Sequence, residues 1–118
     1  MINETNVTLM VTDMEKSIQF YTKTLGLRLK ANYGGQFAQI EAPGTIIALH
    51  PIPENGPKPG YSEGISIGFG VVNLEETMEE LRQRGVEFSR TSDDNQVMLA
   101  FFTDPDGYHL YLSQSKWG

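Results

Sequence analysis

The second half of this 118-residue chain repeats the order of signals in the first. With a shift of 60 residues, Val7 meets Ile67, Val11 meets Val71, and Asp13, a natural helix N-cap, meets Asn73. Met14, Ile18 and Tyr21 fall on Leu74, Met78 and Leu81, the same helical stripe written twice. The match then slips by one, so that Gly26 meets Gly85, each placed to end its helix in a left-handed conformation. Farther on, Pro43-Gly44…Ile47…Leu49 parallels Pro105-Asp106-Gly107…Leu110…Leu112. Strand, helix and three strands therefore occur twice, and a duplicated unit restricts the fold to two similar modules.

The expected architecture is α+β: one domain of two tandem βαβββ modules, 1–50 and 65–118, joined by a Pro/Gly-rich linker over 51–64. In the first module, strands are expected over Asn6–Thr12, Leu27–Tyr33, Gln36–Glu41 and Ile46–His50, with a helix from Met14 to Leu25. In the second, they are expected over Ile65–Val72, Val86–Arg90, Gln96–Thr103 and the stretch after Gly107, with Ser92–Asn95 as a turn. Ser113–Gly118 reads as a tail whose Trp117 would cap the core or a subunit interface. Tyr61, in the linker, is placed where it could cover a pocket. The acidic run Glu75-Glu76…Glu79-Glu80 reads as a solvated helix face, balanced by Arg82 and Arg84.

Each module's sheet has two unlike faces. Val7, Leu9, Val11, Ile47, Leu49, Ile67, Phe69, Val71, Leu110 and Leu112 form an aliphatic set that belongs under the helices. The other face collects Asn6, Thr8, Met10, Ala48, His50, Ser66, Gly68, Gly70, His109 and Tyr111. That second face is too polar and too small to pack as a dry core. Two such sheets side by side would curve around a central cavity, with the helices outside and a small-molecule site within.

The bulk numbers exclude several classes of function. A net charge of −6, with no Lys/Arg cluster, argues against a nucleic-acid surface. The absence of cysteine removes disulfides, thiolate metal sites and a cysteine nucleophile, and is compatible with a reducing cytoplasm. Met1–Thr5 lacks the basic and apolar regions of a signal peptide, and no apolar run approaches membrane-spanning length, so no membrane partner is expected. A Ser66, His50, Asp104 trio has no nucleophile-elbow glycine pattern, and Asp104 is needed by its turn.

The stretches Val11-Thr-Asp13-Met-Glu-Lys-Ser17-Ile-Gln-Phe20-Tyr21…Leu25-Gly26-Leu27 and Phe102-Thr-Asp104-Pro-Asp-Gly107-Tyr108, in this order, resemble the vicinal oxygen chelate superfamily. This is the glyoxalase, bleomycin-resistance and extradiol-dioxygenase group. The resemblance implies paired βαβββ modules, often in a homodimer. Its metal-dependent members carry four His or Glu ligands, and a divalent ion there acts as a Lewis acid. The corresponding positions here are Asn6, Ala48, Ser66 and Tyr111, none of them a His or a carboxylate.

That substitution favours a small-molecule-binding protein without a metal or other cofactor, taking a partly aromatic metabolite or antibiotic. Its expected ligand-binding residues are Asn6, Thr8, His50, Ser66, Gly68, Phe102, His109 and Tyr111, with rings such as Tyr111, Phe102 or Tyr61 stacking on the ligand. The alternative is an enzyme of the glyoxalase, lyase or dioxygenase kind. It would use a divalent metal displaced onto His50 and His109, or acid–base chemistry by His50, His109 and Tyr111. A third reading is a degenerate module acting as a subunit partner.

Overall fold

Alternation of apolar and polar residues makes Asn6–Val11 the first strand, β1, and the Asp13 carboxylate ends it by accepting the Lys16 N–H at 3.0 Å, which starts helix α1 (Met14–Gln19). Strands β2 (Arg28–Asn32), β3 (Ala38–Ala42) and β4 (Thr45–Pro51) follow. The second series is β5 (Ile67–Gly70), α2 (Leu74–Gln83), β6 (Arg90–Asp93), β7 (Val97–Thr103) and β8 (His109–Ser115). Asn73 caps α2 as Asp13 caps α1, its side-chain oxygen accepting the Glu76 N–H at 3.1 Å. The computed structural model describes residues 1–60 and 62–117.

The chain divides into two compact units, Met1–Pro59 and Gly60–Gly118. Each holds one four-stranded sheet, in the order β1-β4-β3-β2 and β5-β8-β7-β6. In both, the first strand runs parallel to the last, and the remaining pairs are antiparallel. The duplication read from the sequence is thus reproduced as topology. The first sheet's core is Leu9, Val11, Ile40, Ile47 and Leu49 with Tyr21 and Ser17, and the second's is Phe102, Leu110 and Leu112 with Leu74, Met78 and Leu81. Val7, Ile67, Phe69 and Val71, expected with this set, are only half-buried.

The one-residue slip in the repeat has a structural cause. α1 does not continue as an α-helix to Leu25; it widens at Phe20–Thr24 into a π-helical turn, closed by Leu25 N–H on the Phe20 carbonyl at 2.9 Å. The helix therefore takes up one extra residue before its terminal bond, Leu27 N–H to Tyr21 O at 3.0 Å. The equivalent bond after α2 is Val86 N–H to Leu81 O, also 3.0 Å, one residue shorter in sequence. With Gly85 N–H on Arg82 O and Gly85 at φ +95°, it forms a Schellman ending.

Several boundaries of the second module differ from expectation. The strand placed over Val86–Arg90 begins only at Arg90, because Val86 is tied to the helix end. The turn placed at Ser92–Asn95 lies later, where the Asp94 carboxylate accepts Gln96 N–H at 2.7 Å and Val97 N–H at 2.9 Å. β5 is shorter than Ile65–Val72: its pairing with β8 starts at Ile67, leaving Ile65 and Val72 exposed. Ser113 is strand and not tail. Trp117 does not cap a core: it is 80% exposed, with its indole N–H on the Asn95 carbonyl at 3.1 Å.

Candidate functional site

The turn before β8 decides what that strand presents. Asp104 is buried, and its Oδ1 accepts the backbone N–H groups of Asp106 and Tyr108, both at 2.9 Å. The Asp104 N–H donates to the Tyr108 carbonyl at 3.1 Å, and Gly107 supplies the left-handed residue, φ +88°. This closed turn sets the β7–β8 pairing: Thr103 faces His109, Phe102 faces Leu110, and Phe101 faces Tyr111.

The same register continues across the whole second sheet. Gly68 pairs with Tyr111, Tyr111 with Phe101, and Phe101 with Arg90, so one row crosses all four strands on the face away from Leu110 and Leu112. The phenol of Tyr111 lies over Gly68: a Cβ built there would fall within the ring. The Phe101 and Tyr111 ring centroids are 6.0 Å apart at 45°, and the Arg90 guanidinium carbon sits 3.9 Å from the Phe101 centroid. Each side chain of the row touches the next, and glycine at one end makes the room.

Phe102 does not belong to this face. It is 2% exposed and packs edge-on against Phe88, with ring centroids 5.4 Å apart, so it cannot stack on a ligand. Its neighbour Phe101 occupies the position expected of it. Neither Phe101 nor Arg90 was singled out by sequence reasoning. The register supplies what the sequence pattern lacked: the backbone bond between Asp104 and Tyr108 centres the turn on Asp106, and counting outwards from it brings Phe101, not Phe102, opposite Tyr111.

The other expected residues are placed as follows. His109 is exposed on the same face as Tyr111, in an open hollow of about 500 Å³ that Gly60, Glu63 and Gly107 also line. Ser66 is exposed just ahead of β5. In the first unit, Asn6 pairs with Ile46, Thr8 with Ala48, and Met10 with His50, all on the face away from Leu9 and Leu49. The half-buried His50 has its Nδ1 2.6 Å from the Pro51 carbonyl. A carbonyl only accepts, so Nδ1 holds the proton, and in the neutral ring Nε2 is left as the base. Tyr61 lies outside the described residues.

The residues at the superfamily's metal positions do not fit a transition metal. Ala48 has no donor atom and is 2% exposed, Asn6 and Ser66 offer neutral oxygens, and the Tyr111 ring is laid across Gly68. Among the described residues, no three His, Asp or Glu side chains gather into a group able to hold a metal ion. No helix among them is long and apolar enough to cross a membrane.

The profile of the Glyoxalase/Bleomycin resistance protein/Dioxygenase superfamily matches residues 3–112. The chain is 32% identical to the lactoylglutathione lyase of Escherichia coli O157:H7 over 120 aligned positions, 92% of this chain and 89% of that protein. A superfamily member from Sphaerobacter thermophilus superposes with a TM-score of 0.78 at 28% identity, covering 97% of this chain and 98% of that one. TnmS3, an antibiotic binding protein from Streptomyces sp. CB03234, has the same fold, with a TM-score of 0.80 at 24% identity and 98% coverage of each chain. With the duplicated sheets and the profile match agreeing along nearly its whole length, this chain belongs to the Glyoxalase/Bleomycin resistance protein/Dioxygenase superfamily.

Proposed function

We propose that this chain is a small-molecule-binding member of its superfamily that works without the usual metal ligands. It takes a partly aromatic metabolite or antibiotic against the open faces of its sheets, as a cytoplasmic homodimer. The observation that carries this reading is the donor set Asn6, Ala48, Ser66 and Tyr111, which replaces ligands by an apolar methyl, two neutral oxygens and a phenol laid beside Phe101. A phenol next to a phenyl ring suits recognition of an aromatic body, with the hydroxyl free to give or accept one hydrogen bond.

The test is metal analysis of protein purified without chelator, followed by thermal-shift screening against aromatic natural products. Metal-free protein whose melt is raised by such a compound, with the gain lost in a Tyr111→Ala, His109→Ala double variant, is the expected result. Stoichiometric Ni, Zn, Fe or Mn, lost on His50→Ala, would overturn the metal-free reading.

The 32% identity to a lactoylglutathione lyase supports a second reading, an enzyme of that kind. Here His50, with Nε2 as base, or His109 and Tyr111 would move the proton. Lactoylglutathione lyase activity that survives chelation and falls on His50→Ala would put this reading first.

A further inference from the structure

We propose that the row Gly68–Tyr111–Phe101–Arg90 is a binding strip for a planar aryl carboxylate, with Arg90 taking the carboxylate and the two rings taking the aromatic body. The proposal rests on the binding reading above and adds the charge of the ligand to it. Three of the four arginines face carboxylates: Arg28 with Glu41 at 3.8 Å, Arg82 with Glu79 at 3.9 Å, and Arg84 with Glu80. Arg90 has no carboxylate partner among the described residues, although the chain carries a net charge of −6. Its contact is the face of Phe101. Stacking uses the flat side of a guanidinium and leaves the N–H groups on its edge free, the geometry that a carboxylate accepts in a bidentate pair.

The dimensions agree. Three strand spacings separate Gly68 from Arg90, about 14 Å in all, room for fused rings with an acid group at the β6 end. The first unit serves as an internal control. Its equivalent row reads Thr8–Ala48–Gln39–Ala31, with neither a ring nor a cation. The same sheet therefore forms without these side chains, and the fold does not require Arg90 on Phe101. The bland alternative is that Arg90 merely shields the ring from water.

Fluorescence titration with 1-hydroxy-2-naphthoate and with the uncharged 1-hydroxy-2-naphthamide separates the two. The wild-type protein is expected to bind the acid about tenfold or more tightly than the amide, the increment of a charge-assisted hydrogen-bonded pair. Arg90→Gln should bring that ratio to about one by weakening the acid alone, and Arg90→Lys, keeping charge without the planar stack, should restore part of it. Tyr111→Ala should weaken both compounds alike. Equal binding of acid and amide by the wild type, or a ratio that survives Arg90→Gln, overturns the carboxylate assignment. Amide binding lost on Tyr111→Ala would in that case still support recognition of rings on this face. Failure of both compounds to bind overturns the strip and removes support from the binding reading as well.

Discussion

Replacing Gly68 by alanine should change the sign of its effect according to what stands at position 111. Gly68 lies in β5 and is not among the residues with positive φ, so alanine meets no backbone strain. On its own, alanine in place of a strand glycine gains about 0.5–1 kcal/mol, because the unfolded chain has less freedom to lose. In the native protein, however, the new Cβ falls on the Tyr111 ring, which must swing away from Phe101. Losing that ring pair costs about 0.5–1.5 kcal/mol, and apolar burial is lost with it. The net expectation is a destabilisation of about 1 kcal/mol, since the ring's contact and burial together outweigh the entropic gain. In a Tyr111→Ala background the obstacle is gone, and Gly68→Ala should stabilise by about 0.5–1 kcal/mol. The coupling between the two sites is then about 1.5–2 kcal/mol, typical of residues in contact. Urea unfolding of the wild type, both single variants and the double variant, read at a common m-value, measures it. A Gly68→Ala effect of the same sign and size in both backgrounds would refute the claim that the ring rests on the glycine.

Three further outcomes follow from the same structure. Asp104→Ala leaves two backbone N–H groups of the closed turn without their acceptor and should cost about 2–4 kcal/mol in urea unfolding, whereas Asp104→Asn, which keeps an oxygen there, should cost about 1 kcal/mol. Ser17 is 1% exposed with its Oγ lacking a partner among the described residues, so Ser17→Ala should lose nothing and gain up to about 1 kcal/mol by the same measurement. The backbone N–H groups of Gln96 and Val97 hold the Asp94 carboxyl below its ordinary value of 3.8. A lowered folded pKa means that its contribution is complete above pH 3.8 and fades as the pH falls through the lowered value. Asp94→Asn should therefore melt below the wild type at neutral pH, by circular dichroism, with the gap closing on acidification.

Much of the fold was legible because its signals are local. Asp13 and Asn73 start helices by bonds to residues three positions on; Gly26 and Gly85 end them by adopting positive φ; Asp104 closes a turn with amides two and four residues away. Repetition of those signals in the same order determined two similar modules before any contact was known, and with them the aliphatic sets of Leu9, Val11, Leu110 and Leu112 that became the cores. The one-residue slip was visible too, but its π-helical cause was not, since a widened turn carries no residue pattern of its own.

What the tertiary structure alone decided is the composition of the second sheet's open face. Val97–Thr103 has apolar residues at both alternating sets of positions, so a period of two marks two faces without saying which is the core. The pairing with β8 resolves it, sending Phe102 inward onto Phe88 and Phe101 outward beside Tyr111. Arg90 reaches Phe101 only through the β6–β7 register, a contact between residues eleven apart (101 − 90) that the hairpin at Asp94 determines. Sequence patterns report the chemistry of a residue and its near neighbours; the row that joins a glycine, a phenol, a phenyl ring and a guanidinium exists only once four strands lie side by side, because hydrogen-bonded register is a property of pairs of strands and not of any one of them.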